Sequence, residues 1–209
     1  MKRRTRFILL LLPFPLIVVA LAFCWSLFHV PDWYHPVAVP PDAGQEIRDE
    51  LTELTRVFNN SMQQPAPFEF VLSQDQVNRL ISGRAMIDPR FADLLPHELS
   101  QPAVAWQDGC FKAGAIVQFH GAPMLASLSA RIHLDPNNIE IHGLQVRVGA
   151  WPVPQSLIQE HVEQVLSKPL QNLVVPNRFR YPNSDYDVRV EQIRMDEGNL
   201  VLTIQPIPR

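Results

Sequence analysis

The chain predicts an α+β fold: an N-terminal transmembrane helix, then a long-stranded, curved antiparallel sheet packed on helices. Three observations carry that prediction. Residues 7–30 contain no Asp, Glu, Lys or Arg and follow the basic cluster Lys2, Arg3, Arg4 and Arg6. Residues 102–149 alternate apolar with polar or small side chains through four consecutive runs, as half-buried antiparallel strands do. Shorter stretches on either side place apolar residues at helical spacing behind capping residues.

With 209 residues and 46% hydrophobic content, one membrane segment and one globular domain are expected. The pattern divides the chain into a basic cytoplasmic tail (1–6), a transmembrane helix acting as signal anchor (7–30), a Pro-rich linker (31–41), an amphipathic helix (42–62) and an extracytoplasmic α+β domain (66–209). Beyond residue 30 there are 14 basic and 21 acidic residues, a net charge of −7. Nucleic acid is therefore excluded as a partner, because that binding rests on neutralising phosphate. Of the two cysteines, Cys24 lies in the apolar segment and Cys110 begins a strand. The globular part has no internal disulfide and no cysteine-based zinc site.

As a helix, residues 7–30 span about 36 Å, enough to cross a hydrocarbon core of about 30 Å with some tilt. The basic flank keeps the N-terminus cytoplasmic and sends the domain outside in a single pass. Pro13 and Pro15 kink the helix, and Trp25, Trp33 and Tyr34 suit the outer interface. The alternative is a cleaved signal peptide, since Ala20-Leu21-Ala22 has the small-x-small form that signal peptidase needs. Continuation of the apolar run to Val30 argues for an uncleaved anchor, and Phe23 before Cys24 argues against a lipoprotein.

Pro31, Pro36, Pro40 and Pro41 make a stiff, extended spacer. Asp42 then caps a helix with Ile47, Leu51, Leu54 and Phe58 on one face, which either packs on the domain or extends as a stalk. Asn59-Asn60-Ser61 has the form of a glycosylation sequon. Phe68, Phe70 and Leu72 alternate as a short strand. Ser73 and Gln76 form a capping box for a helix whose apolar face is Val77, Leu80 and Ile81. Asp88-Pro89 starts another helix over Phe91, Leu94 and Leu95, which Pro96 stops.

In the meander, Asp108-Gly109 is a hairpin turn that pairs Trp106 with Phe111 and Val104 with Ala113. Folding back at Gly121-Ala122 matches Phe119 with Met124, Val117 with Ala126, Ala115 with Leu128, Ala113 with Ala130 and Phe111 with Ile132. The turn Asp135-Pro136-Asn137-Asn138 sets Leu134 opposite Ile139 and Ile132 opposite Ile141. Alternation fails at Gly143 and resumes at Leu144, Val146 and Val148, which predicts a β-bulge. Trp151-Pro152-Val153-Pro154 then starts a helix with Leu157, Ile158, His161, Val162, Val165 and Leu166 as its apolar stripe, ending at Pro169. Val188, Val190, Ile193 and Met195 pair with Ile204, Leu202 and Leu200 around Glu197-Gly198, with a second bulge at Glu191-Gln192. Pro206 and Pro208 end the sheet.

This order of elements resembles a group of small envelope proteins. The strand 68–73 runs into a Ser-capped helix carrying Asn78; a long meander, a Pro-flanked helix after Gly149 and a terminal hairpin ending in Pro206 follow. The chain is similar to the YpmS-like membrane-anchored proteins of bacteria and, more distantly, to the tubular lipid-binding (TULIP) superfamily. That resemblance implies a strongly curved sheet wrapped on a long helix, with an apolar groove for a lipid chain. It covers residues 68–206 and transfers no catalytic residue. Pro169 makes the helix after Gly149 short for a full-length lipid tunnel.

The candidate ligand-binding residues are Phe111, Ala113, Ala115, Val117, Phe119, Met124, Ala126, Leu128, Ala130 and Ile132 on the sheet, with Leu157 and His161 on the helix. Alanines at the centre of an apolar face, ringed by large side chains, make either an acyl-chain groove or a close helix seat. His133, Glu140 and His142 share the polar face and have metal-ligand chemistry, although Arg131 opposite His142 opposes a cation there. A solvated row of ion pairs is the other reading of those three. Asp185 and Asp187 are an acidic pair of unknown separation in space, and His97-Glu98 has no evident partner. No Gly-x-Ser-x-Gly, His-Glu-x-x-His, Walker or Rossmann pattern occurs, so neither catalytic residues nor a cofactor is assigned. The expected function is non-enzymatic: a membrane-held domain binding a lipid or other hydrophobic ligand. The alternative is an envelope scaffold or assembly subunit acting through a protein partner, using a sheet edge or helix 42–62.

Overall fold

The computed structural model describes residues 13–107, 109–119, 121–154, 173–182, 185–196 and 198–209. The described residues form ten strands and five helices, giving an α+β architecture with two antiparallel sheets. The helices are α1 (Pro13–Leu27), α2 (Gly44–Met62), α3 (Gln74–Ser82) and α4 (Arg84–Ile87), followed by a 3-10 helix (Pro89–Leu94). The strands are β1 (Phe68–Ser73), β2 (Leu99–Gln107), β3 (Cys110–Phe119), β4 (Ala122–Leu134), β5 (Asn138–Val148), β6 (Trp151–Pro152), β7 (Leu173–Pro176), β8 (Arg178–Arg180), β9 (Tyr186–Asp196) and β10 (Asn199–Pro208).

The larger sheet has the order β2-β3-β4-β5-β6, with β7 also pairing β5; the smaller is β1-β10-β9-β8. A single long sheet was the expectation. Alternation dictates which face a side chain occupies but not which strand it meets, and β1 pairs with β10 instead of joining the meander.

Both predicted bulges are present. Gly143, at φ +63°, lies where the β4–β5 register shifts between Ser129 and Arg131, and Glu191 is the extra residue opposite Thr203 and Ile204. The β2–β3 and β4–β5 pairings follow the predicted register. The β3–β4 pairing does not: Phe119 faces Ala122, Val117 Met124, Ala115 Ala126, Ala113 Leu128 and Phe111 Ala130. Gly121, at φ +80°, helps close a turn two residues tighter than expected. A slip of two leaves every side chain on its own face, so the pattern cannot distinguish the registers.

The two sheets are tied along two seams. At one, β7 and β8 are separated only by Asn177, whose N–H donates to the Asn137 carbonyl at 3.1 Å and whose carbonyl accepts from Val190 at 2.8 Å. At the other, β1 leads into α3, which lies against β2. Ser73 and Gln76 make the predicted capping box, and Asn78 reaches the β2 edge.

Helix α2 packs on the domain and is not a free stalk, with Ile47 fully buried beneath α3 at Gly83 and Met62 buried in the smaller-sheet core beside Val188 and Ile204. Asp42 does not cap it; Ala43 holds the N-cap position without a side-chain bond. Trp151–Pro152 pairs with β5 as a strand instead of starting a helix. The helix expected after Pro154, with Leu157 and His161, lies outside the described residues.

Candidate functional site

The apolar face of the larger sheet is assembled from the cross-strand pairs. Ala115 faces Ala126 at its centre, with Ala113 opposite Leu128 on one side and Val117 opposite Met124 on the other. The face extends onto β5 through Val146, Val148 and Ile141, and onto β2 through Val104 and Trp106. Small side chains between Phe111, Met124, Leu128 and Ile132 leave a shallow trough, because an alanine rises only one carbon from the sheet. Ala115 and Ala130 are buried, while Leu128 and Phe119, the latter at the end of the row, are exposed. The ten sheet residues proposed from sequence therefore share one face; Leu157 and His161 fall outside the described residues.

Trp106 belongs to this face and sequence reasoning assigned it only a pairing. Its ring stacks on Phe111 at 6.3 Å between centroids, and its buried indole N–H has no acceptor among the described residues. Its edge strand is shielded by α3. The Asn78 Nδ2 donates to the Val104 carbonyl at 3.0 Å and its Oδ1 accepts from the Val104 N–H at 2.7 Å, imitating a neighbouring strand. Gln74 Oε1 accepts from the Trp106 N–H at 3.4 Å.

The opposite face is covered by the linker, and this corrects the interfacial placement of Trp33 and Tyr34. Trp33 sits on Gly114, where an added Cβ would lie 3.0 Å from the indole, and Tyr34 is 6% exposed in a cluster with Ala103 and Leu125. The Tyr34 hydroxyl donates to the Gln101 carbonyl at 2.5 Å, and burial raises its pKa above the ordinary phenol value. Gln101 holds a φ of +51° at the bulge that starts β2, a conformation costly for a side chain with a Cβ. The spacer is thus a strap lying along the sheet. Aromatic residues beside a membrane segment suit an interface and a core equally well, and glycine at 114 decides for the core.

A second apolar concavity of about 310 Å³ lies between α2, α3 and the smaller sheet, lined chiefly by Leu51, Leu54, Phe58, Phe70, Val77 and Ile81. These are the apolar faces that helical spacing predicts, and the two helices do not close over them. The aromatic cluster continues to Tyr181, whose hydroxyl donates to Asn59 Oδ1.

The polar candidates pair locally. His142 Nε2 lies 2.8 Å from Glu140 Oε2 and His133 Nε2 lies 3.5 Å from Asp135 Oδ1, while the two imidazole centroids stay 6.2 Å apart. Among the described residues no group of three His, Cys, Asp or Glu converges to hold a metal. Asp187 is held by Arg209 at 2.8 Å and Arg178 at 2.9 Å; the Arg209 hydrogen bond first, then Arg178, keep its carboxyl below the ordinary range. His97 sits 3.7 Å from Asp93. No protein-family model, curated protein or solved structure matches the chain.

Among the described residues no helix is long and apolar enough to cross a membrane. The described part of the apolar segment is α1, about 22 Å long. Residues 1–12 lie outside the description. The exposed side chains of α1 include Ile17, Val18, Val19, Leu21 and Phe23.

Proposed function

We propose that the chain is a non-enzymatic, membrane-anchored extracytoplasmic domain that binds a lipid or other hydrophobic ligand along the apolar face of the larger sheet. The observation that carries this reading is the alanine trough of Ala113, Ala115, Ala126 and Ala130, set in a bulged sheet whose other face is already occupied by Trp33 and Tyr34. Ligand sites are largely apolar, and this face is apolar with small side chains at its centre. Anchoring by residues 7–30 is supported by a helix with exposed apolar side chains behind a basic N-terminus. The resemblance to YpmS-like and TULIP proteins points the same way.

The test is photocrosslinking of the full chain in vesicles containing a phospholipid with a diazirine in its acyl chain. Label is expected on peptides from β3 and β4. Ala115→Trp, at the centre of the trough, should reduce that label several-fold while labelling of α1 stays constant. Equal β-strand labelling in the variant, or label on α1 alone, refutes ligand binding at this face.

A second reading is supported by the open α2–α3 cleft: a scaffold subunit that seats an apolar segment of a partner there. It predicts oligomers or a co-purifying protein that disappear in Leu51→Ser/Leu54→Ser. A full-length protein that is monomeric and partner-free refutes it.

A further inference from the structure

The C-terminal end of α1 does not lead away from the domain; it is built into it. Ala150 N–H donates to the Ser26 carbonyl at 2.7 Å, and Phe23 meets Trp151 edge-on with ring centroids 4.9 Å apart. Gly149, at φ +58°, allows the contact, because a Cβ there would lie 2.3 Å from the Leu27 carbonyl oxygen. Gly149 N–H in turn donates to the Leu125 carbonyl at 2.7 Å, which ties the turn between β5 and β6 to the larger sheet. Helix, turn and sheet are therefore one unit. Phe23 lies four residues before Leu27, so Trp151 stands beside the last turn of α1 instead of beyond it.

Charge is distributed to match. From Ala113 to Ala130 there is no Asp, Glu, Lys or Arg, and from Gly143 to Pro154 only Arg147. These segments make the end of the larger sheet that carries the β3–β4 and β5–β6 turns. The other end of β4 and β5 carries Arg131, His133, Asp135, Glu140 and His142. On β3, β4, β5 and β6 the end that adjoins α1 carries no acidic residue, although Glu98 precedes β2 there. Trp151 is 47% exposed there, and Trp25, Phe28 and Val30 at and just beyond the end of α1 are exposed as well. Tryptophan at such a boundary suits the headgroup level of a bilayer.

We propose that the β5–β6 turn, Gly149 to Trp151, is seated in the interfacial layer of the bilayer that α1 enters, with a lipid surface as its partner. The domain is thereby docked on the membrane in one orientation, its β3–β4 and β5–β6 turns down and its charged β4–β5 turn away. The trough of the larger sheet then starts at the membrane and needs no soluble carrier to be filled. This inference rests on the reading of α1 as a membrane anchor, but not on the trough being a ligand site.

Site-directed spin labelling of the full chain in phosphatidylcholine–phosphatidylglycerol vesicles tests it, in a Cys24→Ala/Cys110→Ala background. Labels are placed at Val18→Cys in α1, at the exposed Ala150→Cys, and at the exposed Asn137→Cys in the β4–β5 turn, with circular dichroism confirming the fold. Accessibility to oxygen relative to a water-soluble nickel chelate reports depth. The expected ratio at Ala150 is several-fold above that at Asn137 and approaches that at Val18. A lipid-like Val18 with a water-like Ala150 overturns the docked turn while leaving the anchor standing. A water-like Val18 overturns the anchor and the inference together.

Discussion

Asn78 offers the sharpest test of how the sheets are joined. It is 1% exposed and makes two hydrogen bonds to one residue of the edge strand, at 2.7 and 3.0 Å. Asn78→Ala leaves the Val104 N–H and carbonyl without partners in a site water does not reach. Each orphaned group costs about 1–3 kcal/mol, so the variant should lose about 2–6 kcal/mol. Asn78→Asp separates hydrogen bonding from packing. A protonated carboxyl accepts from the Val104 N–H and donates to its carbonyl, as the amide does, whereas a carboxylate faces that carbonyl with a buried charge. The folded pKa of this Asp is therefore raised above its unfolded value. With a raised folded pKa, the variant approaches the native protein below the unfolded pKa, about pH 4, and loses stability as pH rises toward the folded pKa. Urea denaturation followed by tryptophan fluorescence measures both. An Ala variant that loses less than about 1 kcal/mol, or an Asp variant whose deficit is the same at acid and neutral pH, refutes the bridging role.

Other perturbations have equally defined outcomes. Gly83→Ala places a Cβ 2.3 Å from Ile47 Cδ1, inside a fully buried contact between α2 and α3, and should cost about 1–3 kcal/mol in the same denaturation; a neutral result means that α2 is not seated there. Asp187 contributes stability at neutral pH that is lost as pH falls through its depressed folded value, so Asp187→Asn should lower the melting temperature at pH 7 by an amount that shrinks in acid below the ordinary value of 3.8. A gap that persists unchanged into that acid range counts against the Arg209–Asp187–Arg178 pairing.

Much of the larger sheet was legible because its turns name their own conformations. Asp108-Gly109 and Gly143 specify backbone geometry within a few residues, and the pairings beside them match the sequence reading. The Ser73–Gln76 capping box is equally local. What was not legible depends on long-range partners. Trp33 reads as interfacial until Gly114, 81 positions later, is seen beneath it. β7 and β8 are short and divided by Asn177, so they carry no alternation long enough to register as strands. The trough was legible as a set of residues on one face, but its contacts across β3 and β4 were displaced by two, because alternation is blind to even slips.

The two buried polar residues among those described, Asn78 and Asn177, each occupy a seam between the sheets. They work differently. Asn177 carries the chain from β7 to β8, and its own backbone bonds to Asn137 and Val190 continue both ladders across the junction. Its side chain adds a bond to the Pro136 carbonyl at 3.0 Å. Asn78 has no ladder to continue: at its seam the contact with the β2 edge is made by side chains of a nine-residue helix. A backbone seam breaks only when a strand peels, whereas a side-chain seam opens when α3 shifts by the length of a hydrogen bond. Of these two seams, the one along α3 and β2 is therefore the easier to open. That seam is also where Trp106, on the trough face, holds a buried N–H without an acceptor among the described residues. Hydrogen exchange should register the asymmetry as faster exchange at the Val104 and Trp106 amides than at Val190, whose amide is held by the backbone of Asn177. Equal protection at the three amides would mean that the helix closes its seam as firmly as a strand would.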